Sequence, residues 1–203
     1  MKAAREFRQH GRMKSHRILF ACTGNICRSP TAEAVMRTLV RTAGLQDRIE
    51  VDSAGTHDYY CGALPDPRAQ RAARRRGYEL AELRARQIRS RDFEHFDLIL
   101  AMDFSNLAHL QALCPAQHQA KLGLLMPYAV RRRAMIVHDP YCRSDKEFEL
   151  VLDYIEDACE GLLCSLEPAA GDAVGEALQE MRMRGRMPAL RAPLRRMVDS
   201  LIR

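Results

Sequence analysis

The chain has 203 residues, 47% of them hydrophobic, which predicts a globular domain with a buried core. Charged residues interrupt every apolar stretch, which excludes a transmembrane helix of about 20 consecutive apolar residues. The net charge of +6 comes from the two ends: residues 1–16 hold five Lys or Arg and one acid, and residues 181–203 hold seven Arg and one acid. Residues 17–180 are therefore acidic overall, so we expect no nucleic acid among the partners of the protein.

Short apolar runs alternate along the chain with segments of helical period, a pattern typical of a parallel α/β domain. Strands are predicted at residues 17–22, 49–53, 97–102 and 121–126. Helices are predicted at residues 30–43, 67–76, 91–95, 105–113 and 145–163. Ser29 is the expected N-cap of the first helix, with Pro30 as its first residue and Gly44 as its stop signal.

This alternation implies right-handed crossovers and a doubly wound, four-stranded parallel sheet with helices on both faces. Ligands of such sheets bind beyond the carboxyl ends of the strands. Cys22 lies at that end of the first predicted strand. We therefore expect the functional site to lie around Cys22.

The composition changes beyond Leu166 to Pro, Gly, Ala, Arg and Met, and we expect a domain boundary there. The chain then divides into a basic N-terminal extension (1–16), a central domain (17–166) and a basic C-terminal extension (167–203). Met13 is a possible alternative start. Four apolar residues of the C-terminal extension recur at helical spacing: Leu190, Leu194, Val198 and Leu201. Such a helix could contact a membrane, although packing on the domain or an unfolded tail is the favoured interpretation.

The chain contains seven cysteines, at positions 22, 27, 61, 114, 142, 159 and 164. Their number is odd, they form no C-x-x-C pair, and residues 1–16 lack the apolar centre of a secretory signal. This usage predicts free thiols in the reducing cytoplasm rather than a disulfide framework or a zinc site. We expect neither a metal nor another cofactor.

The segment from Cys22 to Pro30, CTGNICRSP, has the features of an anion-binding loop. A strand precedes it, a helix follows it, and inside it Gly24 and Asn25 tolerate positive φ, so the loop can turn its N–H groups inward. Those donors and the helix N-terminus together form an anion site. The spacing of Cys22 and Arg28 alone says little; the context of the nine residues carries the prediction.

Two side chains of this loop have the chemistry to handle a phosphate. A cysteine at a helix N-terminus beside an arginine is favoured as the thiolate, which is the nucleophilic form. The planar guanidinium of Arg28 can bind two phosphoryl oxygens at once. The alternative is a buried Cys22 at a strand end and an Arg28 exposed to solvent.

The segment CTGNICRSP resembles the signature of the low-molecular-weight protein tyrosine phosphatases. Further segments resemble the family in the same order: 52–56 (DSAGT), 65–69 (PDPRA), 85–87 (ARQ), 102–103 (MD), 105–107 (SNL) and 139–141 (DPY). The resemblance covers about residues 17–165, which makes residues 17–166 the phosphatase domain. It implies an enzyme that hydrolyses the phosphotyrosine of a protein, or a small aryl phosphate.

The resemblance also implies roles for individual residues. Cys22 would attack phosphorus and become a phosphocysteine, Arg28 would clamp the phosphate, and Asp139 would be the general acid and then the general base. The residues that would bind the phosphate or support the loop are Thr23, Gly24, Asn25, Ile26, Cys27, Ser29 and Ser53. Taken alone, Asp139 with Pro140 would be interpreted as a turn.

Three further residues have roles that the resemblance suggests and the sequence leaves open. Tyr59 and Tyr141 match positions whose aromatic rings flank the substrate pocket, but tyrosines at these positions could equally serve packing. Cys27 would be a resolving thiol that traps an oxidised Cys22 as a disulfide, or else a small buried hydrophobic residue.

Two other functions use the same features. A thiol-dependent arsenate reductase on this fold also uses Cys22 and Arg28, but it relays oxidation through two further cysteines on a mobile segment. A phosphate-binding adaptor would use the loop without turnover. Residues 62–113 contain no cysteine, which argues against the reductase, and an adaptor has no need of Asp139 as an acid.

Overall fold

The computed structural model describes residues 15–167 and contains an open sheet of four parallel strands in the order β2-β1-β3-β4. The strands are β1 (His16–Cys22), β2 (Ile49–Gly55), β3 (Leu98–Ala101) and β4 (Leu122–Leu124). The helices are α1 (Arg28–Thr42), α2 (Pro67–Arg75), α3 (Ser90–His95), α4 (Phe104–Leu113) and α5 (Asp145–Leu166). Short 3-10 helices span Ala116–Lys121 and Met126–Tyr128. The predicted doubly wound α/β fold is confirmed.

The central strand β1 divides the core into two layers. Ile18 and Phe20 belong to the cluster formed with α1, α2 and α5, while Leu19 and Ala21 belong to the cluster formed with α3 and α4. All four side chains are completely buried. A strand that is covered on both faces has a continuous run of apolar residues in its sequence. The position of β1 could be predicted for this reason.

Helix α1 begins two residues earlier than predicted, and the predicted N-cap is wrong. Cys27 is the N-cap and makes no side-chain cap hydrogen bond, Arg28 is the first helical residue, and Pro30 is the third. The hydroxyl of Ser29 instead contacts the sulfur of Cys22 and accepts a hydrogen bond from Asn25. Pro30 is tolerated because the first-turn N–H groups of a helix have no intrahelical acceptor.

The remaining boundaries differ from the predictions by a few residues. The strand predicted at 121–126 is reduced to Leu122–Leu124, because the chain then turns into the 3-10 helix Met126–Tyr128. Helix α5 extends to Leu166, beyond the predicted end at residue 163. The predictions for Met13 and the C-terminal amphipathic segment lie outside the described residues. No helix within residues 15–167 is long and apolar enough to cross a membrane.

Gly161 allows the segment after β4 to pack directly against α5. A Cβ at this position would collide with the backbone carbonyl of Tyr128 and would lie 3.0 Å from Cγ2 of Val130. Backbone atoms cannot move aside as a flexible side chain can. The close approach therefore requires glycine in the middle of a buried helix, where it would otherwise be unfavourable.

We expect Gly161→Ala to lower the free energy of unfolding by about 1–3 kcal/mol, because the added methyl group overpacks this contact. Urea denaturation measures the change. Gly123→Ala is the matched control, since its Cβ would lie 3.5 Å from Cδ2 of Leu100, an ordinary contact distance. Equal stability of the two variants would contradict this account.

Candidate active site

The loop between β1 and α1 leaves a row of backbone donors available to a ligand. Within residues 15–167, no backbone N–H from Thr23 to Arg28 donates to a protein acceptor. Asn25 lies in the left-handed region with φ of 55°, which bends the chain back before α1 begins. Consecutive unpaired N–H groups at a helix N-terminus are the arrangement that binds anions.

Asn25 also braces the loop from behind. Its side-chain nitrogen donates to the hydroxyl oxygens of Ser29 (2.9 Å) and Ser53 (2.8 Å), and its side-chain oxygen accepts the backbone N–H of Arg86 (2.9 Å). All of its buried side-chain atoms are thus satisfied. Ser53 joins the brace to β2, so the conformation of the loop is fixed by the central sheet.

The brace ends at Glu33, which sequence analysis missed. The hydroxyl of Ser53 donates to Oε2 of Glu33 at 2.5 Å, and the Arg37 guanidinium lies 2.6 Å from Oε1. Burial raises the pKa of Glu33, although the hydrogen bond from Ser53 and the charge of Arg37 oppose the shift. One signal was available, because Glu33 follows Ser29 by four residues and so lies on the same face of α1.

The sulfur of Cys22 lies at the end of β1, inside a pocket, and is nearly buried (3% exposed). Its Sγ is 3.0 Å from Oγ of Ser29. The Ser29 hydroxyl accepts a hydrogen bond from Asn25, and its own proton can be donated to the sulfur or to the carbonyl of Ala54, 3.3 Å away. This hydroxyl can therefore stabilise a negative charge on Cys22.

Arg28 is the largest fully buried side chain of the described part, with 1% exposed. Its Nη1 donates to Asp103 (2.5 Å) and to the carbonyl of Val137 (3.1 Å), and its Nη2 donates to Asp139 (2.7 Å). Its Nε is buried without a partner. Burial would lower the pKa of Arg28, but the nearby charges of Cys22, Asp139 and Asp103 outweigh it and raise the pKa.

Asp103 is the second site residue that sequence analysis missed as an interaction partner. It follows directly after β3 and Met102, at the carboxyl end of the sheet where ligand sites are expected. It also caps α4, because its Oδ1 accepts the backbone N–H of Asn106 at 2.7 Å. One carboxylate thus fixes both the start of α4 and one end of the Arg28 guanidinium.

The fold brings Asp139 to the loop although it is 111 residues from Arg28 in sequence. Its Oδ2 contacts Arg28, and its Oδ1 accepts the backbone N–H of Tyr141 at 3.1 Å. The side chain is 48% exposed, in contrast to the buried Arg28. Asp139 therefore faces both the guanidinium and the open pocket, where it can exchange a proton with a bound molecule.

Three tyrosines form the wall of the pocket. The lining residues are Cys22, Thr23, Gly24, Ile26, Cys27, Arg28, Tyr59, Tyr60, Asp139 and Tyr141. Tyr59 and Tyr141 were predicted, and Tyr60 was missed. The hydroxyl of Tyr60 donates to that of Tyr141 at 2.7 Å, and this hydrogen bond raises the pKa of Tyr60 to about 12.

The other two tyrosine contacts set the shape of the mouth. Tyr60 packs on Gly24 so closely that a Cβ at residue 24 would lie 2.6 Å from its Cδ2. Tyr59 is 67% exposed and stacks on His57, with 4.9 Å between the ring centroids. The pocket therefore has a polar, donor-rich floor and an aromatic rim.

Cys27 lies beside Cys22 in the lining but differs from it in surroundings. It is buried, and burial raises the pKa of its thiol, with further contributions from the charges of Asp66 and Cys22. Cys27 is therefore a neutral thiol near neutral pH.

Comparisons with known proteins show which family this chain resembles. Residues 17–172 match the family described as low molecular weight phosphotyrosine protein phosphatase. A Synechocystis protein named among the low molecular weight protein-tyrosine-phosphatases is 44% identical over 151 residues, covering 74% of this chain and 96% of the relative. The mouse low molecular weight phosphotyrosine protein phosphatase is 41% identical over 151 residues, covering 73% of this chain and 94% of the relative.

Solved structures agree with the sequence comparisons. A crystal structure of protein tyrosine phosphatase from Entamoeba histolytica, with Hepes in the active site, superposes with a TM-score of 0.74 at 39% identity. It covers 76% of this chain and 99% of the Entamoeba chain. The portion that superposes is thus nearly a complete protein of that kind.

Substitutions of Asn25 separate its backbone role from its hydrogen bonds. Asn25→Gly keeps the left-handed conformation but leaves buried partners unpaired, and we expect it to lower the free energy of unfolding by about 1–3 kcal/mol. Asn25→Ala adds the cost of a left-handed Cβ, so we expect it to be less stable than the glycine variant by about 1 kcal/mol. Thermal and urea unfolding measure both values. An alanine variant as stable as the glycine variant would contradict the role assigned to φ.

Proposed function

Because the chain belongs to the low molecular weight phosphotyrosine protein phosphatase family, we propose that it hydrolyses phosphotyrosine monoesters with Cys22 as nucleophile, Arg28 as phosphate clamp and Asp139 as general acid and base. One observation carries this assignment. The Cys22 sulfur lies in a pocket whose loop offers unpaired N–H donors, and the buried Arg28 of that loop contacts Asp139 at 2.7 Å.

The first chemical step transfers the phosphoryl group to sulfur. The Cys22 thiolate attacks phosphorus, an S–P bond forms, and the bond from phosphorus to the tyrosine oxygen breaks. Asp139 gives its proton to that oxygen, so tyrosine leaves as a neutral phenol. The loop N–H groups and the unpartnered Nε of Arg28 bind the phosphoryl oxygens on which charge develops.

The second step releases inorganic phosphate. A water molecule gives a proton to the Asp139 carboxylate and attacks phosphorus, so an O–P bond forms and the S–P bond breaks. Cys22 leaves as the thiolate. The Ser29 hydroxyl, 3.0 Å from the sulfur, donates to it and makes it a better leaving group.

The aromatic rim favours an aryl ester over an alkyl ester. Tyr59, Tyr60 and Tyr141 offer ring faces and edges to a phenyl ring whose phosphate reaches the floor. We propose that the substrate is a phosphotyrosine-bearing protein or a small aryl phosphate. Residues 17–166 form the phosphatase domain in this proposal, with basic extensions at residues 1–16 and 167–203.

We further propose that Cys27 protects the nucleophile from irreversible oxidation. A peroxide converts the Cys22 thiolate to a sulfenic acid, and the neighbouring Cys27 thiol displaces the sulfenic oxygen as water to form a disulfide. Reduction by a thiol restores both residues. Such a cycle requires a reducing compartment, and we propose the cytoplasm.

Hydrolysis of p-nitrophenyl phosphate in the presence of EDTA tests the mechanism. We expect metal-independent activity that is lost in Cys22→Ser, and a kcat that falls by about 10² in Asp139→Asn, because hydrolysis of the phosphocysteine then lacks its general base. Asp97→Asn is the control, since Asp97 pairs with Arg17 at the opposite end of the sheet.

Other outcomes of this assay identify the alternative functions. A Cys22→Ser variant with wild-type activity would refute the mechanism. Tight phosphotyrosine binding without phosphate release would indicate an adaptor. Thiol oxidation that depends on arsenate, without phosphatase turnover, would indicate an arsenate reductase.

Peroxide treatment followed by dithiothreitol tests the role of Cys27. We expect the wild type to recover most of its activity and to show a peptide pair linked through Cys22 and Cys27 by mass spectrometry. Cys27→Ser is expected to recover less, because its Cys22 proceeds to the sulfinic acid. Cys159→Ser, at a buried position on α5, is the control. Equal recovery of all three proteins would contradict the proposal.

A further inference from the structure

We propose that Arg68 positions the general acid by tying the acid loop, defined as residues 139–143, to the phosphate-binding loop. This inference rests on the proposed function, since it concerns how Asp139 is held for that reaction. Arg68 lies in the first turn of α2 and does not line the pocket. It is therefore a positioning residue rather than a catalytic one.

One side of the Arg68 guanidinium holds the backbone of the acid loop. Its Nη2 donates to the carbonyl of Tyr141 at 2.8 Å, and its Nη1 donates to the carbonyl of Arg143 at 3.0 Å. These two carbonyls belong to the turn that follows Asp139. Both bonds are charge-assisted, so they are stronger than the bonds that neutral donors would make.

Asp66 anchors the same guanidinium to the phosphate-binding loop. Arg68 donates through Nε to Oδ1 of Asp66 (3.0 Å) and through Nη2 to Oδ2 (2.8 Å). The backbone N–H of Asp66 in turn donates to the carbonyl of Ile26 at 2.7 Å. Asp66 is buried and caps α2, so it is a fixed point rather than a mobile surface carboxylate.

Packing against Phe148 orients the Arg68 guanidinium for its hydrogen bonds to Asp66 and the acid loop. Its central carbon lies 4.6 Å from the centroid of the Phe148 ring, in the first turn of α5. The hydrogen bond with Asp66 raises the pKa of Arg68, so the side chain keeps its charge. A lysine ammonium could reach a carboxylate but could not present a planar fork to a carboxylate and two carbonyls together.

The Tyr141 peptide connects the hydrogen bonds of Arg68 to the carboxylate of Asp139. Its carbonyl is held by Arg68, and its N–H donates to Oδ1 of Asp139 at 3.1 Å. The other oxygen of Asp139 faces Arg28. Asp139 is 48% exposed and has little packing of its own, so the orientation of its carboxyl group depends on these backbone contacts.

We expect a specific kinetic defect when the hydrogen bonds of Arg68 to the acid loop are removed. A misplacement of about 1 Å can cost roughly 10²-fold in rate, and here the misplaced group would be the acid alone. p-Nitrophenolate is a good leaving group and needs little protonation, whereas phenolate, whose conjugate acid has a pKa near 10 as in tyrosine, needs the proton. The loss should therefore be larger for phenyl phosphate.

The experiment compares kcat/KM for p-nitrophenyl phosphate and phenyl phosphate, because kcat/KM reports the steps through the first P–O cleavage. We expect Arg68→Ala to raise the ratio of the two values about tenfold, in the same direction as Asp139→Asn. The double variant Arg68→Ala/Asp139→Asn should have the ratio of Asp139→Asn alone, because both changes remove one function. Arg71→Ala is the control on the same helix, since Arg71 pairs with the exposed Asp145, and its ratio should equal that of the wild type.

Arg68→Lys keeps the test decisive if the alanine variant unfolds. It retains a charge near Asp66 and lacks the fork, so we expect an intermediate ratio with a folded far-UV spectrum. An unchanged ratio in the folded Arg68 variants, while Asp139→Asn raises it, would overturn the role of Arg68 and leave the proposed function intact. An unchanged ratio in Asp139→Asn itself would instead refute the role of Asp139 as acid.

Discussion

A buried guanidinium needs negative partners, because an uncompensated charge inside a protein is strongly unfavourable. Arg28 meets this requirement with Asp103 on one side and Asp139 on the other. The two carboxylates are not equivalent, since Asp103 is fixed by its place at the start of α4 and Asp139 is half exposed on a loop. A phosphate that enters the pocket adds negative charge beside Arg28 and so weakens its hold on Asp139. In the proposed mechanism, this ion pair connects substrate binding to the release of Asp139 as the general acid.

The rest of the site restrains the phosphate-binding loop around Arg28. Asn25 joins the loop to Ser29 on α1 and to Ser53 on β2, and Glu33 ends the network in the interior. Every link is short and buried, so the network restrains the loop. Donors that are already oriented cost no reorganisation during the reaction, which is the main source of electrostatic catalysis. The rigidity of the loop thus depends on polar side chains buried in the core.

Much of the fold could be predicted because its signals are local. Strand β1 is buried on both faces, and the family-like loop, with Gly24 inside it, begins at its last residue. Ser29 was misassigned as an N-cap because a hydroxyl before proline usually caps a helix, whereas here the hydroxyl serves Cys22. Asp103 was missed as a partner of Arg28 because the two residues are 75 positions apart in sequence and meet only in the folded protein. The meeting of Asp139 with Arg28 depends on tertiary structure across 111 residues, and only the family resemblance could predict it.

The contact between Gly24 and Tyr60 has a consequence for how such a site can evolve. The ring occupies the space that any side chain at residue 24 would need. A larger residue at 24 is accommodated only if the side chain at 60 shrinks or turns away, and the hydroxyl bridge to Tyr141 is then lost. The side chains at positions 24 and 60 are therefore sterically coupled. A related enzyme with a bulkier residue in place of Gly24 should have a smaller or reoriented side chain in place of Tyr60. Its pocket would then have a wider mouth, suited to different esters.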